Sequence, residues 1–216
     1  MFILRVDIYL PDFSVEESLG LSTSAVIVGV DEVGRGPLAG PVTAAAVFVE
    51  RQKITLDLST KIDDSKKIPQ KKRAIISRQI EGMAIVGIGW ASSGEIDQLN
   101  ILEATMIAMQ RAVLSLRKQI ILDPDYILID GNKVPSFDFP SKAIVRGDEK
   151  SLSIAAASIV AKSKRDAFMT SLSKLYPCYG WEKNAGYGTR EHLAAIERKG
   201  ITAYHRRSFK PIANYL

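Results

Sequence analysis

The sequence predicts an α/β domain in which a mixed β-sheet is flanked by helices. Apolar runs at 25–31, 42–50 and 126–130 have the length and composition of buried strands. Apolar side chains recur at helical spacing over 100–120, and an alanine-rich stretch over 151–175 suits a helix that packs closely on a sheet. Because the strands come first and a later strand lies between helices, the order of elements indicates a mixed sheet.

The connecting segments define the remaining elements. Glycine and proline residues between the first two strands predict a turn. A helix is predicted over 69–80, with Pro69 in its first turn, and a third strand over 81–92. Pro124 breaks the chain before the strand at 126–130. These assignments divide the chain into an N-terminal extension (1–24), a core (25–175) and a C-terminal part of short helices and loops (176–216).

Composition limits the classes of protein to which the chain can belong. Its 216 residues, 46% of them hydrophobic, are enough for one substantial core. No apolar run reaches the roughly 18–20 residues of a membrane helix, and the N-terminus lacks the features of a secretory signal, so we expect no membrane association. Cys178 is the only cysteine, which excludes an internal disulfide and fits a reducing cytoplasm. Nothing in the sequence indicates assembly beyond a monomer.

Charge is distributed unevenly along the chain. The formal net charge is +5, but residues 141–216 contain 14 Lys/Arg against 6 Asp/Glu, whereas residues 1–140 contain 15 against 18. A basic C-terminal third beside an acidic remainder is typical of a protein that holds a polyanion near a cation-binding centre. Solubility alone is the alternative explanation of the same pattern.

Acidic residues follow the predicted strands closely. Asp31 and Glu32 come at the end of the first strand, Asp130 ends the strand at 126–130, and Asp148 precedes the alanine-rich helix. Ligand sites of open α/β sheets form beyond strand ends, so we expect these four acids to converge. Their mutual repulsion requires compensation, and divalent cations with a preference for oxygen ligands, Mg²⁺ or Mn²⁺, supply it.

The adjacent pair Asp31 and Glu32 carries a geometric condition. If the strand continues straight through both residues, their side chains point to opposite faces of the sheet. They share a metal site only if the strand ends or bends there, or if one residue contributes its backbone carbonyl. Gly34 and Gly36 favour a bend.

Seven motifs follow one another along the chain. They are DEVGRGPLAGPV (31–42), DDSKKI (63–68), NILEAT (100–105), IDGN (129–132), GD (147–148), SIAAASIVAKSKRD (153–166) and GYGTREH (186–192). Their order and spacing resemble the ribonuclease HII family, the bacterial type 2 ribonucleases H, over about residues 25–211. The Arg-Gly-Pro sequence after the acidic pair favours type HII, because the sister type HIII usually lacks that arginine and carries a longer N-terminal domain.

The resemblance implies a fold and an activity. The fold would be an RNase H-like mixed sheet flanked by helices, with a small helical C-terminal part that contacts nucleic acid. The activity would be metal-dependent endonucleolytic cleavage of the RNA strand of RNA·DNA hybrids, and incision on the 5′ side of ribonucleotides embedded in duplex DNA. Such cleavage leaves 3′-hydroxyl and 5′-phosphate ends.

The resemblance also assigns roles to residues. Asp31, Glu32, Asp130 and Asp148 would be the catalytic metal ligands, with Asp31 bridging two ions and Asp148 close to the attacking water. The Gly34-Arg35-Gly36 turn and Tyr187 would recognise the RNA-to-DNA junction, the glycines by letting the backbone approach the 2′-hydroxyl that DNA lacks. Alone, the tripeptide is also compatible with an ordinary tight turn, and the tyrosine with an ordinary core or surface aromatic.

Basic residues outside the motif centres are candidate phosphate contacts. One group lies before and in the helix predicted at 69–80, and a second lies on the alanine-rich helix; a solvated helix face is the alternative for each. Among them we select Lys66, Lys67, Lys162 and Arg165, with Lys71, Lys72, Arg73 and Lys164 as neighbours in the same runs.

Three further residues could be mistaken for metal ligands. His192 and His205 have no other histidine nearby in sequence, so structural hydrogen bonding or a phosphate contact is predicted for both. Asp166 lies deep in a helical pattern, which favours a salt bridge or helix packing.

Two positions depart from the family pattern, and other classes of function stay open. Ala185 stands where many relatives have a lysine, and Pro69 stands where a serine or threonine cap is usual.

A P-loop is disfavoured because GRGPLAGPV lacks the Lys-Ser/Thr of that motif. A hybrid-binding module without catalysis and a DNA-cutting nuclease on the same core are the remaining alternatives. Chelation of metal should stop the cleavage by a ribonuclease but should leave the binding by a hybrid-binding module intact. An all-DNA duplex should be cut by a DNA nuclease but not by a ribonuclease.

Overall fold

The computed structural model describes residues 10–63 and 65–215. The first nine residues of the predicted N-terminal extension therefore lie outside the described residues. One five-stranded sheet forms the centre of the fold, with strand order β3-β2-β1-β4-β5. The strands are β1 (Ile27–Val33), β2 (Val42–Phe48), β3 (Ile85–Ala91), β4 (Tyr126–Asp130) and β5 (Ser141–Ile144).

The sheet is mixed, as predicted. Strand β2 pairs antiparallel with both β1 and β3, whereas β4 pairs parallel with β1 and with β5. The first three strands therefore form a meander, and the crossover to β4 carries helices. This arrangement places the carboxyl ends of β1 and β4 at the same edge of the sheet.

Helices cover both faces of the sheet. Two long helices define the layers and the others connect strands or build the C-terminal part. In chain order the described helices are α1 (Ser14–Glu17), α2 (Leu56–Ser59), α3 (Gln70–Met83), α4 (Ser93–Leu99), α5 (Ile101–Arg117), α6 (Leu152–Leu175), α7 (Trp181–Asn184), α8 (Arg190–Lys199) and α9 (Lys210–Ala213).

The hydrophobic core has a layer on each side of the sheet. On one side α5 packs through Ala104, Ala108 and Ala112 against β1, β2 and β3. On the other side α6 packs against β1 and β2, with α3 outside it. Gly29 allows this second contact, because a β-carbon there would lie 2.2 Å from the main-chain carbon of Ser153. The close approach brings the alanine-rich face of α6 directly onto the strand that carries the acidic pair.

The C-terminal part has a hydrophobic cluster of its own. Trp181, Tyr179 and Ile196 are buried there together with Met169 and Leu172 from the second half of α6. The cluster joins the C-terminal helices to α6, so this part is attached firmly to the core. The division of the chain at residues 24 and 175 stays a prediction.

Several elements differ from the sequence expectations. Strand β3 begins at Ile85 rather than 81, because α3 continues to Met83. Pro69 is the N-cap of α3 rather than a first-turn residue, and no side chain caps that helix end. Strand β5 was not predicted, since its Ser-Lys-Ala-Ile sequence has little apolar periodicity.

Helix α4 was also absent from the sequence expectations, although a signal for it exists. Ser92 and Glu95 form a capping box: the Ser92 hydroxyl accepts from the Glu95 N–H at 3.2 Å, and Glu95 Oε2 accepts from the Ser92 N–H at 2.8 Å. A serine followed by glutamate three residues later marks such a helix start in sequence.

Candidate active site

Asp31 and Asp130 lie beside each other at one edge of the sheet. Strands β1 and β4 are parallel and pair Val30 with Ile129, so the two aspartates occupy the next position of the register. Alternation along each strand turns both side chains toward α6, since Gly29 faces that helix and Asp31 is two residues further along. Asp31 is 5% exposed. The structure thus brings together two acids that are 99 residues apart in sequence.

Alternation along β1 places Glu32 on the face of the sheet opposite Asp31, although the charge of Glu32 still raises the pKa of Asp31. Strand β1 continues to Val33, so the predicted bend at the acidic pair is wrong, and the chain turns only from Gly34 onward. Glu32 Oε1 instead accepts from Arg35 Nη1 at 3.3 Å. Asp31 and Glu32 can therefore share a metal site only if one of them binds the ion through its backbone carbonyl.

Asp148 lies in a short 3₁₀ turn next to Asp130. The turn spans Gly147–Glu149, and the Gly147 N–H donates to Asp130 Oδ1 at 2.6 Å. This bond ties the segment that carries Asp148 to the end of β4. Asp148 is partly exposed and follows directly after the donor. All four predicted acids are therefore carried by adjoining segments at one edge, but only Asp31 and Asp130 are placed side by side by the strand register.

The acidic pair is electrostatically unfavourable in the protein alone. Burial is the main cause that raises the pKa of Asp31 well above its ordinary value of 3.8, and the charges of Glu32 and Asp130 raise it further. Hydrogen bonds from Ser158 and from the Glu32 N–H act in the opposite direction. Burial also raises the pKa of Glu32, and the Arg35 guanidinium opposes this effect. The ionised carboxylates therefore require an additional positive charge nearby.

A divalent cation fits this requirement in charge and in ligand type. Among residues 10–63 and 65–215, however, no three Asp, Glu, His or Cys side chains form a group that could hold a metal ion by themselves. The two observations are compatible, because Mg²⁺ usually binds through only one or two carboxylates and completes its shell with water and substrate phosphate. The open edge at Asp31 and Asp130 matches that mode rather than a closed cage.

The turn that follows the acidic pair contacts the Gly-Tyr-Gly segment. The Leu38 N–H donates to the Gly186 carbonyl at 2.8 Å. Gly34 has a φ of +92°, a conformation in which a β-carbon would be strained. Gly36 is exposed and lies against the ring of Tyr187, which is itself 47% exposed. Two motifs separated by 150 residues thus form one surface next to the acids.

The candidate phosphate contacts fall into two groups. Lys66 and Lys67 are exposed, and Lys162 is partly exposed with its Nζ 2.7 Å from Asp166 Oδ1. Arg165 is 0% exposed and hydrogen-bonds only to main-chain carbonyls, so its prediction as a phosphate contact is wrong. A helix face that appears basic in sequence is here partly turned into the core.

Asp166 has the structural role that its position in a helix indicated. Its carboxylate accepts from Arg73 Nη2 at 2.8 Å and from Lys162 at 2.7 Å. Arg73 is buried and ties the start of α3 to α6, which removes it from the surface basic run.

The two histidines lie together although they are distant in sequence. His192 Nδ1 donates to the Tyr187 carbonyl at 2.9 Å, and its Nε2 is 3.0 Å from Trp181 Nε1 and 3.1 Å from His205 Nε2. The Thr202 N–H donates to His205 Nδ1 at 2.9 Å, so His205 carries its proton on Nε2 and donates it to His192. The prediction of structural hydrogen bonding is confirmed.

Sequence reasoning missed Arg206 and Ser158. Arg206 is fully buried under the turn at 34–36, and Ser158 lies beside Asp31 while its hydroxyl is 2.9 Å from that of Ser65. Nothing in the local sequence indicates that an arginine in a loop supports the turn at 34–36, or that a serine in an alanine-rich helix lies beside Asp31.

The fold and the acidic edge define the class of protein. A mixed five-stranded sheet of this order, with acids at the ends of its two central parallel strands and helices on both faces, is RNase H-like. A family model described as Ribonuclease HII matches residues 28–212. The ribonuclease HII of Paramagnetospirillum magneticum is 47% identical over 207 residues, which cover 96% of this chain and 99% of that protein. The chain belongs to the ribonuclease HII family and is an endoribonuclease.

Solved structures show the same fold at low sequence identity. The RNase HII in the PCNA:RNase HII complex from Archaeoglobus fulgidus is 22% identical with a TM-score of 0.70, covering 88% of this chain and 96% of that chain. Bst-RNase HIII in complex with Mn²⁺ is 18% identical with a TM-score of 0.67, covering 89% of this chain and 69% of that chain.

Among the helices of the described residues, none has the length and apolar character needed to cross a bilayer.

Proposed function

We propose that this enzyme hydrolyses the RNA strand of RNA·DNA hybrids and incises duplex DNA on the 5′ side of an embedded ribonucleotide. The products would carry 3′-hydroxyl and 5′-phosphate ends. The observation that carries the proposal is the contact between Gly36 and Tyr187, which lies just beyond β1, the strand that carries Asp31 and Glu32. An acidic edge alone suits many nucleases, but an adjoining backbone turn packed on an exposed ring suits recognition of a sugar.

The acids would hold Mg²⁺ or Mn²⁺ at this edge. Asp31 and Asp130 would hold the ions through their carboxylates, with Asp31 shared between the two ions, Glu32 would contribute its backbone carbonyl, and Asp148 would lie close to the attacking water. Bound there, two divalent ions would neutralise the phosphoryl oxygens and assist the nucleophile and the leaving group. The raised pKa of Asp31 and its buried position support this assignment, since they show where positive charge is lacking.

The turn and the tyrosine would select the sugar. Arg35 and Gly36 are exposed, and their amide N–H groups have no hydrogen-bond partner among the described residues, so they are free to donate to a substrate oxygen. The exposed ring of Tyr187 would pack on the adjacent deoxyribose, where a second 2′-hydroxyl disturbs the fit.

Phosphate contacts outside this centre would be electrostatic. Lys66 and Lys67 are exposed near the acidic edge, and Lys162 could exchange Asp166 for a phosphate. The basic C-terminal part, residues 176–216, would contact the same nucleic acid, with an affinity that falls as salt rises. A cytoplasmic monomer that acts in DNA replication or repair is the cellular setting consistent with this substrate.

The decisive experiment is incubation with a duplex that carries one ribonucleotide, in the presence of Mg²⁺ or Mn²⁺, followed by mapping of the cut. We expect a single incision 5′ of the ribonucleotide and no cut in an all-DNA duplex of the same sequence. Equal cleavage of both duplexes would indicate a DNA nuclease instead. Addition of a chelator should abolish cleavage and leave binding of the hybrid intact; absence of cleavage with every metal would favour a binding module.

A further inference from the structure

Two arginines from different parts of the chain lie completely buried beneath the turn at 34–36. Arg165 belongs to α6, and Arg206 belongs to the segment that precedes α9. Both have a relative exposure of 0%. Because a guanidinium normally stays at the surface, two such groups at one place require an explanation.

Within the described part of the chain, Arg206 donates its hydrogen bonds to the turn and the residues that follow it. Nη2 donates to the Gly34 carbonyl at 2.5 Å, Nη1 to the Arg35 carbonyl at 2.8 Å and Nε to the Gly40 carbonyl at 3.0 Å. Its backbone N–H also donates to the Leu38 carbonyl at 2.9 Å. One residue thus holds four carbonyls between positions 34 and 40.

Arg165 joins the same segment to the Gly-Tyr-Gly motif. Nη2 donates to the Ala39 carbonyl at 3.1 Å, Nε to the Pro41 carbonyl at 2.9 Å and Nη1 to the Ala185 carbonyl at 2.9 Å. Ala185 has a left-handed backbone and immediately precedes Gly186. Arg165 therefore fixes the spacing between the turn and the segment that carries Tyr187.

Neither guanidinium is neutralised by a direct partner. Within the described part of the chain, neither arginine forms an ion pair with a carboxylate. Burial lowers the pKa of Arg165 to about 10, and burial together with the charge of Arg165 lowers the pKa of Arg206 to about 9. An arrangement this unfavourable is explained by the planar fork of arginine, which holds several carbonyls at once, as lysine cannot.

The arrangement decides which groups of the turn are available. The carbonyls of Gly34 and Arg35 are directed inward at Arg206. The N–H groups of the exposed residues Arg35 and Gly36 accordingly stay without partners among the described residues, and Gly36 lies next to the ring of Tyr187. A row of free N–H donors beside an exposed ring depends on the inward carbonyls being held.

We propose that Arg165 and Arg206 are positioning residues that align the N–H donors of the 34–36 turn and the Tyr187 ring for recognition of a ribose. The inference rests on the proposed function, because it assigns to two buried side chains the geometry of that recognition. Neither arginine contacts substrate. Each acts through the main chain that it holds.

The test uses Arg206→Lys and Arg165→Lys, which keep the charge and lose the fork. The measurements are kcat and KM on a duplex with one ribonucleotide, and the ratio of affinities for that duplex and an all-DNA duplex of the same sequence. We expect kcat and the affinity ratio to fall roughly tenfold, the effect of one or two hydrogen bonds to a charged group. Affinity for all-DNA duplex and its salt dependence should stay at the wild-type level, because the charge is retained.

The control is a variant that destabilises the fold at a position far from the turn. Val113→Ala removes methyl groups from the α5 side of the core, at a side chain 2% exposed, and should lower Tm without changing the affinity ratio. All variants are assayed well below the lowest Tm. If the lysine variants behave as Val113→Ala does, or if neither lysine variant folds, the arginines are structural and the inference is wrong. If the wild-type enzyme itself does not distinguish the two duplexes, the proposed function fails instead.

Discussion

The ring of Tyr187 lies against the α-carbon of Gly36, so that a β-carbon on Gly36 would stand 3.4 Å from Tyr187 Cε1. The two residues are 151 positions apart and belong to different motifs. Two groups of hydrogen bonds hold the segments of Gly36 and Tyr187 together. The Leu38 N–H donates to the Gly186 carbonyl, and Arg165 donates to the Ala185 carbonyl. Backbone donors and an exposed ring thereby form one surface beside the acidic edge.

Removal of the ring should impair recognition and leave the fold intact. Tyr187→Ala is expected to lose most activity on a single embedded ribonucleotide, roughly 10-fold to 100-fold, because the deoxyribose loses its packing surface. Tyr187→Phe is the matched control and should retain most activity. Thermal unfolding should show little change in either variant, since this side chain is 47% exposed. A wild-type rate for Tyr187→Ala would show that Tyr187 takes no part in recognition of the ribonucleotide.

The two glycines of the turn should respond differently to alanine. A β-carbon on Gly34 would meet Arg165 Nε at 2.1 Å, and the φ of +92° adds strain, so Gly34→Ala should lose about 2 kcal/mol or more of stability. Gly36→Ala makes only an ordinary contact and should keep the wild-type Tm while its methyl group obstructs the sugar. Chemical denaturation and single-turnover cleavage measure the two effects. Equal stability of both variants would contradict the described turn.

Neutralisation of Asp31 should increase stability and abolish activity. In the metal-free enzyme the raised pKa means that the folded state holds the proton more tightly, so the free energy of unfolding falls as the pH rises from 3.8 through the raised pKa. At neutral pH, Asp31→Asn should therefore raise Tm by roughly 2–8 °C, the effect of about 1–2 kcal/mol. Cleavage should fall roughly a thousandfold or more while hybrid binding persists.

Metal addition supplies an independent measurement on the same variant. Mg²⁺ should raise the Tm of the wild-type enzyme, because it binds the folded state, and should have a smaller effect on Asp31→Asn. Asp57→Asn, at an exposed acid paired with Lys61, is the control and should respond as the wild type does. An equal response of all three proteins would show that the cation binds elsewhere.

The buried histidine pair should make the fold sensitive to acid. Burial, followed by the proximity of His192, lowers the pKa of His205 from 6.5 to about 4, and burial also lowers that of His192. Between these values the unfolded chain binds a proton that the folded chain does not, so stability present above pH 6.5 is lost as the pH falls. The contribution of His205 is on the order of 3 kcal/mol.

A substitution that keeps the hydrogen bond isolates this effect. His205→Gln retains a donor for His192 but does not titrate, so the loss of Tm between pH 6.5 and 4 should be smaller than in the wild type. The chain contains only two histidines, which simplifies the interpretation of the difference. A parallel decline in both proteins would exclude His205 as the titrating group.

The sequence alone predicted the class of fold, which the structure confirms, and it named the four acids proposed here as metal ligands. The length and composition of the apolar runs predicted the strand at 126–130 correctly and placed β1 within two residues of its observed bounds. This is possible because a buried strand consists of a short continuous run of apolar residues. Strand β5 and the end of α3 were not accessible in this way. Their boundaries depend on which partner they pack against rather than on their own residues.

Only the tertiary structure decided how the site is built. It carried β1 straight through Asp31 and Glu32, placed Asp130 in register with Asp31, and buried Arg165 where a helix face seen in sequence had suggested a phosphate contact. Which side of a helix faces the core, and which carbonyls a long side chain reaches, are set by contacts between residues more than 100 positions apart. Local sequence contains the chemistry of these groups, but only packing fixes their neighbours.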